Sequence, residues 1–223
     1  MIFSWKEVFY LTECVLFDMD GTLINSMPLW TTIAADFVKQ QGGEPKGDLY
    51  GMMYGKTLEQ SSSEIRDLYN LPLTDKEALD AVIALVVEKY LTVEETKGAL
   101  ALIKALHAKN IRMAVVSACP EPLVVPTVKR LGFTEYLDAV YYSTDKSTPE
   151  AFVTLSKEIG FDPCRTWLFE DNLTAMVAAK KIGIKTATIY EKSNRNSPEV
   201  FKEKTDRFYT DFSDLEGILK DIL

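Results

Sequence analysis

The stretch FDMDGTLINS, residues 17–26, sets two carboxylates, Asp18 and Asp20, one residue apart, directly after an apolar run at 14–17. Residues two apart in a strand face the same way, so the acids converge if the strand continues through them. Two unit charges ~4 Å apart repel by about 4 kcal/mol at an effective dielectric of ~20. A divalent cation or a proton would offset that. A carboxylate on the rigid carboxyl end of a buried strand can serve as metal ligand, nucleophile or general acid/base. Alone, Asp-Gly also marks an ordinary turn. An EF-hand loop does not fit, because counting from Asp18 puts Leu23 where that loop's glycine belongs.

Three further stretches carry chemistry at comparable places. Ser117 closes MAVVS, Lys146 sits in STDKSTPEAF, and Glu170-Asp171 close WLFED. Each has a bland use: a serine caps a helix, a loop lysine is solvated, and acids favour a helix N-terminus. Together, at four strand ends on one edge of one sheet, they form a metal-and-phosphate constellation.

The elements that must position them are legible as runs. Short apolar segments at 14–18, 111–117, 139–143, 166–170 and 185–190 read as buried strands. Helical patterns at 99–109, 122–131, 148–159 and 172–182 separate the last four, and Gly132, Gly160 and Gly183 stand where left-handed C-terminal caps are expected. Such alternation predicts an α/β fold: a Rossmann-like parallel sheet covered on both faces, with chemistry at the carboxyl ends of its strands. One connection is too long. Residues 25–94 hold amphipathic patterns at 27–40, 58–69 and 75–90 and no convincing strand, with a loop-rich GGEPKGDLYGMMYGK between the first two. The expected organisation is a core of residues 1–24 and 95–223 with a small all-helical cap, 25–94, inserted after the first strand. Hinges are expected near 22–26 and 92–97. The tail reads as a loop, a short helix, a weak edge strand and a final helix at 213–222.

Composition narrows the partners. The chain has 223 residues and a net charge of −8, which argues against non-specific nucleic-acid or anionic-membrane binding. A small anion is compatible, since a metal and one lysine can reverse the local field. Cys14, Cys119 and Cys164 are widely spaced and suggest free, buried or semi-buried thiols rather than a zinc site or disulfides. No apolar run approaches the ~20 residues of a membrane span, and MIFSWKEVFYLTE lacks a signal peptide's uninterrupted apolar core. A cytoplasmic protein, monomer or weak dimer, is the expectation. Phe3, Trp5, Phe9 and Tyr10 could pack on the core or on a neighbour.

The four segments resemble the haloacid dehalogenase-like hydrolases, in particular the phosphatase and β-phosphoglucomutase-like branch, over about residues 14–211. FDMDGTL is similar to that family's DxDGT motif, VVSACP to its Ser/Thr motif, DKSTPEAF to its lysine motif and LFEDNLTAMVAAKKIGI to its acidic motif. Ser147 replaces a proline, and Asn172, Ala175 and Met176 replace the usual Ser, Gly and Ile. The resemblance implies that Asp18 attacks phosphorus and Asp20 is the general acid/base. It implies Mg²⁺ held by Asp18, the Asp20 carbonyl, Asp171 and Glu170, directly or through water. Ser117 and the Ala118 amide would bind phosphate oxygens, Lys146 would spread developing charge, and Gly21 would let the backbone pass close to the phosphate.

Asp20 points to phosphate esters, because the family's dehalogenases and phosphonatases lack an aspartate there. By spacing, the mutases' cap histidine and arginine fall at about Trp30 and Leu58, which favours a phosphatase of a small phosphorylated metabolite, a sugar phosphate first, over a hexose phosphate mutase. A catalytically silent binding relative is the third reading. Gly55-Lys56 resembles the cap's substrate loop, and Lys56 either reaches the leaving group or is a solvated helix-start lysine. Tyr50, Met52, Met53 and Tyr54 line the pocket or fill the cap's core. Trp30 closes over the site or packs the inserted helices. Asn25 is expected at the hinge with a supporting role, and His107 on the surface.

Overall fold

β-branched and aromatic runs become strands here because both sheet faces are covered. The computed structural model describes residues 11–53 and 56–223. Its strands are β1 (Cys14–Phe17), β2 (Arg112–Val116), β3 (Ala139–Tyr141), β4 (Thr166–Glu170), β5 (Lys185–Ile189) and β6 (Arg207–Tyr209). They form one parallel sheet in the order β3-β2-β1-β4-β5-β6, so β1 lies inside it. Side chains alternate between two apolar clusters. Val15, Phe17, Val115 and Phe169 face one, while Cys14, Leu16, Val116 and Leu168 face the other.

Among the described residues, four helices lie within 25–94: α1 (Met27–Gln40), α2 (Leu49–Met53), α3 (Leu58–Leu68) and α4 (Asp75–Tyr90). Thr57 with Gln60 and Thr74 with Glu77 form capping boxes that start α3 and α4. The remaining helices are α5 (Ala99–His107), α6 (Glu121–Arg130), α7 (Pro149–Ile159), α8 (Leu173–Lys180), α9 (Pro198–Lys204) and α10 (Leu215–Ile222). Gly132, Gly160 and Gly183 take positive φ just past α6, α7 and α8, as expected. The segment read as loop holds α2, and β1 stops at Phe17 instead of running through Asp18. His107 is exposed, as expected. Phe3, Trp5, Phe9, Tyr10, Tyr54 and Gly55 lie outside the described residues.

The inserted helices are tied to the sheet at three places. Ile24 bridges both Asp20 and Glu95; the Asn25 amide donates to the Glu94 carbonyl at 3.0 Å and the Thr96 amide to the Leu23 carbonyl at 2.8 Å. Arg130 at the end of α6 donates to the carbonyls of Tyr90 and Val93, pinning the end of α4. Just beyond, the Phe212 amide donates to the Lys97 carbonyl at 2.9 Å. Gly98 at φ +86° follows, and a Cβ there would lie 2.6 Å from the Phe212 oxygen. Gly98→Ala should therefore destabilise the protein by about 2–4 kcal/mol, combining left-handed strain with overpacking against backbone. A urea unfolding midpoint unchanged from wild type would contradict this account of the junction.

Candidate active site

Register does the first part of the assembly. Phe17 pairs with Val115 on one side and Phe169 on the other, so Asp18, one residue on, is level with Glu170. The Asp18 amide donates to the Phe169 carbonyl at 2.9 Å, which fixes that level. Lys146, on the loop after β3, sends its ammonium between them, donating to Asp18 Oδ1 and to Glu170 Oε2, the latter at 2.8 Å. Asp18, Lys146 and Glu170 are 5%, 7% and 2% exposed, so this charge exchange happens almost without water. Asp171 follows β4, half-buried, and ligand oxygens of Asp18, Glu170 and Asp171 lie within 4.8 Å of one another.

Three carboxylates then face one ammonium. Burial, opposed by Lys146 and reinforced by Asp20, raises the Asp18 carboxyl above its ordinary value. Burial and the Asp18 charge push Glu170 up to about 8, and burial with Asp18 and Glu170 lifts Asp171 well above the carboxylate range. Burial alone would lower Lys146, but Asp18 and Glu170 overcome it and keep the ammonium charged. The site is short of positive charge, and its donors are hard oxygens, which suits a small divalent cation. Gly21 leaves room for this: at φ +73°, a Cβ there would sit 2.9 Å from Asp171 Cγ. The Gly21 amide donates to the Ile24 carbonyl at 3.1 Å and to Ser26 Oγ at 3.3 Å.

Asp20 stands apart from this trio. β1 ends before it, and the turn that follows sends its carboxylate toward the inserted helices. Its Oδ1 accepts from Trp30 Nε1 at 3.1 Å and from the Tyr90 hydroxyl. Its Oδ2 is buried without a hydrogen-bond partner among the described residues. Burial, then the Asp20 charge, raises Tyr90 well above the ordinary phenol value, so Tyr90 is a donor. Cys119 is half-buried and likewise raised by burial and by Asp20.

The other expected positions divide. Ser117 is buried at the end of β2, its Oγ accepting from the Cys119 amide at 3.1 Å, and Ala118 is exposed beside it. Lys56 is not brought to the carboxylates: its ammonium pairs with Glu64 on α3, where both remain solvated. Gly55 lies outside the described residues. Met52 and Met53 pack on the main apolar cluster, and of Asn25 only the backbone holds the hinge, because its side chain is exposed and Ser26 supports Gly21 instead. Cys164 is exposed rather than semi-buried. Tyr90 and Asn194, whose side-chain amide donates to the Asp171 carbonyl at 2.7 Å, had no motif to announce them.

Comparison with known proteins identifies the family. The family model described as haloacid dehalogenase-like hydrolase matches residues 15–189. The chain belongs to the haloacid dehalogenase-like hydrolases. It is 24% identical over 187 residues to a phosphorylated carbohydrates phosphatase of Thermotoga maritima, covering 77% of this chain and 82% of that protein. It is 24% identical over 184 residues to a bifunctional riboflavin kinase/FMN phosphatase of Arabidopsis thaliana, covering 80% of this chain but about half, 48%, of that one. A solved structure of a predicted phosphoglycolate phosphatase from Haemophilus somnus shares the fold at TM-score 0.78 and 20% identity, over 93% of this chain and 98% of that one.

The departures of this hydrolase from its family's motifs are locally accommodated. Asn172 caps α8, accepting from the Thr174 amide at 2.9 Å. Ser147 donates its amide to Asp145 at 2.8 Å, a bond a proline could not make. Two outcomes test the site. Gly21→Ala should weaken divalent-cation binding roughly 10-fold or more by displacing the Asp171 carboxylate, read from metal titrations of the melting temperature. A carboxyl raised by folding takes up a proton on folding, so its stabilisation is full below about 4.5 and is lost as pH rises toward about 8. In EDTA the melting temperature should fall across that window, at ~2–4 °C per kcal/mol lost. Added Mg²⁺ should reverse the fall and Glu170→Gln should flatten it.

Proposed function

We propose that this phosphatase, a phosphoric monoester hydrolase of its family, cleaves a small phosphorylated metabolite, with sugar phosphates the first class to test. The observation that carries the reading is the division of labour between two aspartates one residue apart. Asp18 is buried against Lys146 beside two further carboxylates, while Asp20 is held apart with one oxygen unengaged. Asp18, Glu170 and Asp171, with the Asp20 carbonyl, would hold Mg²⁺. That ion, when bound, supplies charge neutralisation between the carboxylates and an anionic phosphate.

In this reading residues 25–94 act as a cap over the strand ends. Asp18 attacks phosphorus, and a bond forms between its carboxylate oxygen and phosphorus as the ester P–O bond breaks. Asp20 gives its proton to the departing alkoxide. Asp20 then takes a proton from water, the hydroxyl attacks phosphorus, and the Asp18–phosphorus bond breaks to release inorganic phosphate. Lys146 holds the Asp18 carboxylate in line and offsets charge on the transferring group, while Ser117 and the Ala118 amide would receive phosphate oxygens. Gly21 keeps the approach open. Similarity to a phosphorylated carbohydrates phosphatase supports the substrate class. For the mutase alternative, the positions expected for the cap histidine and arginine hold Trp30 and Leu58. Leu58 holds the position expected for its cap arginine and begins α3, and Lys56 is occupied by Glu64.

With Mg²⁺ and a panel of sugar phosphates, wild-type protein should release inorganic phosphate. Asp18→Asn should lower that release by roughly 10³-fold or more. Conversion of one phosphate isomer to another without phosphate release would overturn the reading.

A further inference from the structure

The Asp20 carboxylate is bound unequally. Oδ1 accepts two hydrogen bonds, from Trp30 Nε1 at 3.1 Å and from the Tyr90 hydroxyl, while Oδ2, also buried, accepts none among the described residues. Both of these donors come from the inserted helices, Trp30 from the first turn of α1 and Tyr90 from the last residue of α4, while the Cys119 thiol, after β2, also interacts with Asp20 and Tyr90. Neither aromatic donor is loosely placed. The two rings meet edge to face with centroids 6.3 Å apart, and Arg130 holds the Tyr90 carbonyl at 3.0 Å. Tyr90 is 3% exposed. A buried carboxylate oxygen without a partner is rare in folded proteins, and it is the atom to which a substrate oxygen or a water would come.

We propose that Trp30 and Tyr90 are positioning residues for the acid/base reaction: they clamp Oδ1 of Asp20 so that Oδ2 alone carries and exchanges the proton. This rests on the assignment of Asp20 as general acid/base made above. With both donors on Oδ1, a proton on Asp20 resides on Oδ2 and the carboxyl cannot rotate without losing two bonds. The acid is therefore aligned only while α1 and α4 sit on the strand ends. Seating of the inserted helices and readiness of the acid become one event, set by side chains the family motifs do not include.

A leaving group separates this role from mere packing. Phenoxide is a poor leaving group and needs a proton as the P–O bond breaks; 2,4-dinitrophenoxide departs as a stable anion and does not. The comparison uses kcat/KM, which reports steps through the first phosphoryl transfer, for phenyl phosphate and 2,4-dinitrophenyl phosphate on the same preparations, so that partial unfolding cancels in their ratio. Trp30→Phe and Tyr90→Phe should each lower kcat/KM for phenyl phosphate by ~10-fold and together by ~10²-fold, within the range of general acid catalysis. The activated ester should change by less than ~3-fold, and Asp20→Asn should show the same selectivity more strongly. Equal loss on both esters, or no loss on either, in the Trp30 and Tyr90 variants while Asp20→Asn remains selective overturns the clamp alone. If Asp20→Asn is itself unselective, the acid/base assignment fails and the clamp falls with it.

Discussion

The ammonium of Lys146, buried between Asp18 and Glu170, is the contact on which the site depends. Taking such charges out of water costs several kcal/mol per ion, and mutual attraction repays it only when geometry is held closely. The fold supplies that geometry from rigid parts. Asp18 and Glu170 leave adjacent parallel strands at the same level, and the loop after β3 brings the lysine to both. A third acid, Asp171, leaves the balance short of positive charge. The local design thus stores an electrostatic demand that an anionic substrate alone would worsen, and a divalent cation with that substrate would meet.

One residue separates Asp18 from Asp20, yet they live in different environments. Had β1 continued through Asp20, three residues further, both would have pointed the same way into one charge cluster. It stops at Phe17, and the turn through Gly21 gives Asp20 to the inserted helices. Equal chemical groups acquire unequal roles through chain direction and donors: an ammonium for one, an indole and a phenol for the other. That difference is what would let one aspartate serve as nucleophile and the other gain and lose a proton in the proposed reaction.

The parts legible in the sequence were those written locally. Buried strands announced themselves as apolar runs, helix ends as the glycines that follow them, and the chemical strand ends as Asp, Ser, Lys and Glu-Asp at or just after the close of those runs. What was not legible depends on tertiary placement. Tyr90 reads as the last residue of an amphipathic helix, and only folding brings it 70 positions back to Asp20. Trp30 had two readings because an indole packs and donates equally well, and only its partner decides. Lys56 stood next to a loop that resembles a substrate loop, but Glu64, two turns into the following helix, competes for its ammonium in solvent. The short α2 lay hidden in a glycine-rich segment because its packing on α1 and α3, with Leu49 buried and Met53 partly buried in the main apolar cluster, outweighs weak helix propensity.

The junction between the inserted helices and the sheet would complete the connection between charge and access. Its two strands are held by the Asn25–Glu94 and Thr96–Leu23 backbone bonds, and the same short stretch carries Asp20 at one end and follows Tyr90 at the other. Any motion of the inserted helices would therefore pivot within a few residues of Asp20. Opening would admit substrate, but it would also hydrate the buried carboxylates and remove the donors from Asp20. Closing would reverse both. On the proposed cap reading, desolvation would strengthen the Lys146 interactions as the acid became aligned, so the site would gain its electrostatic strength and its proton donor together.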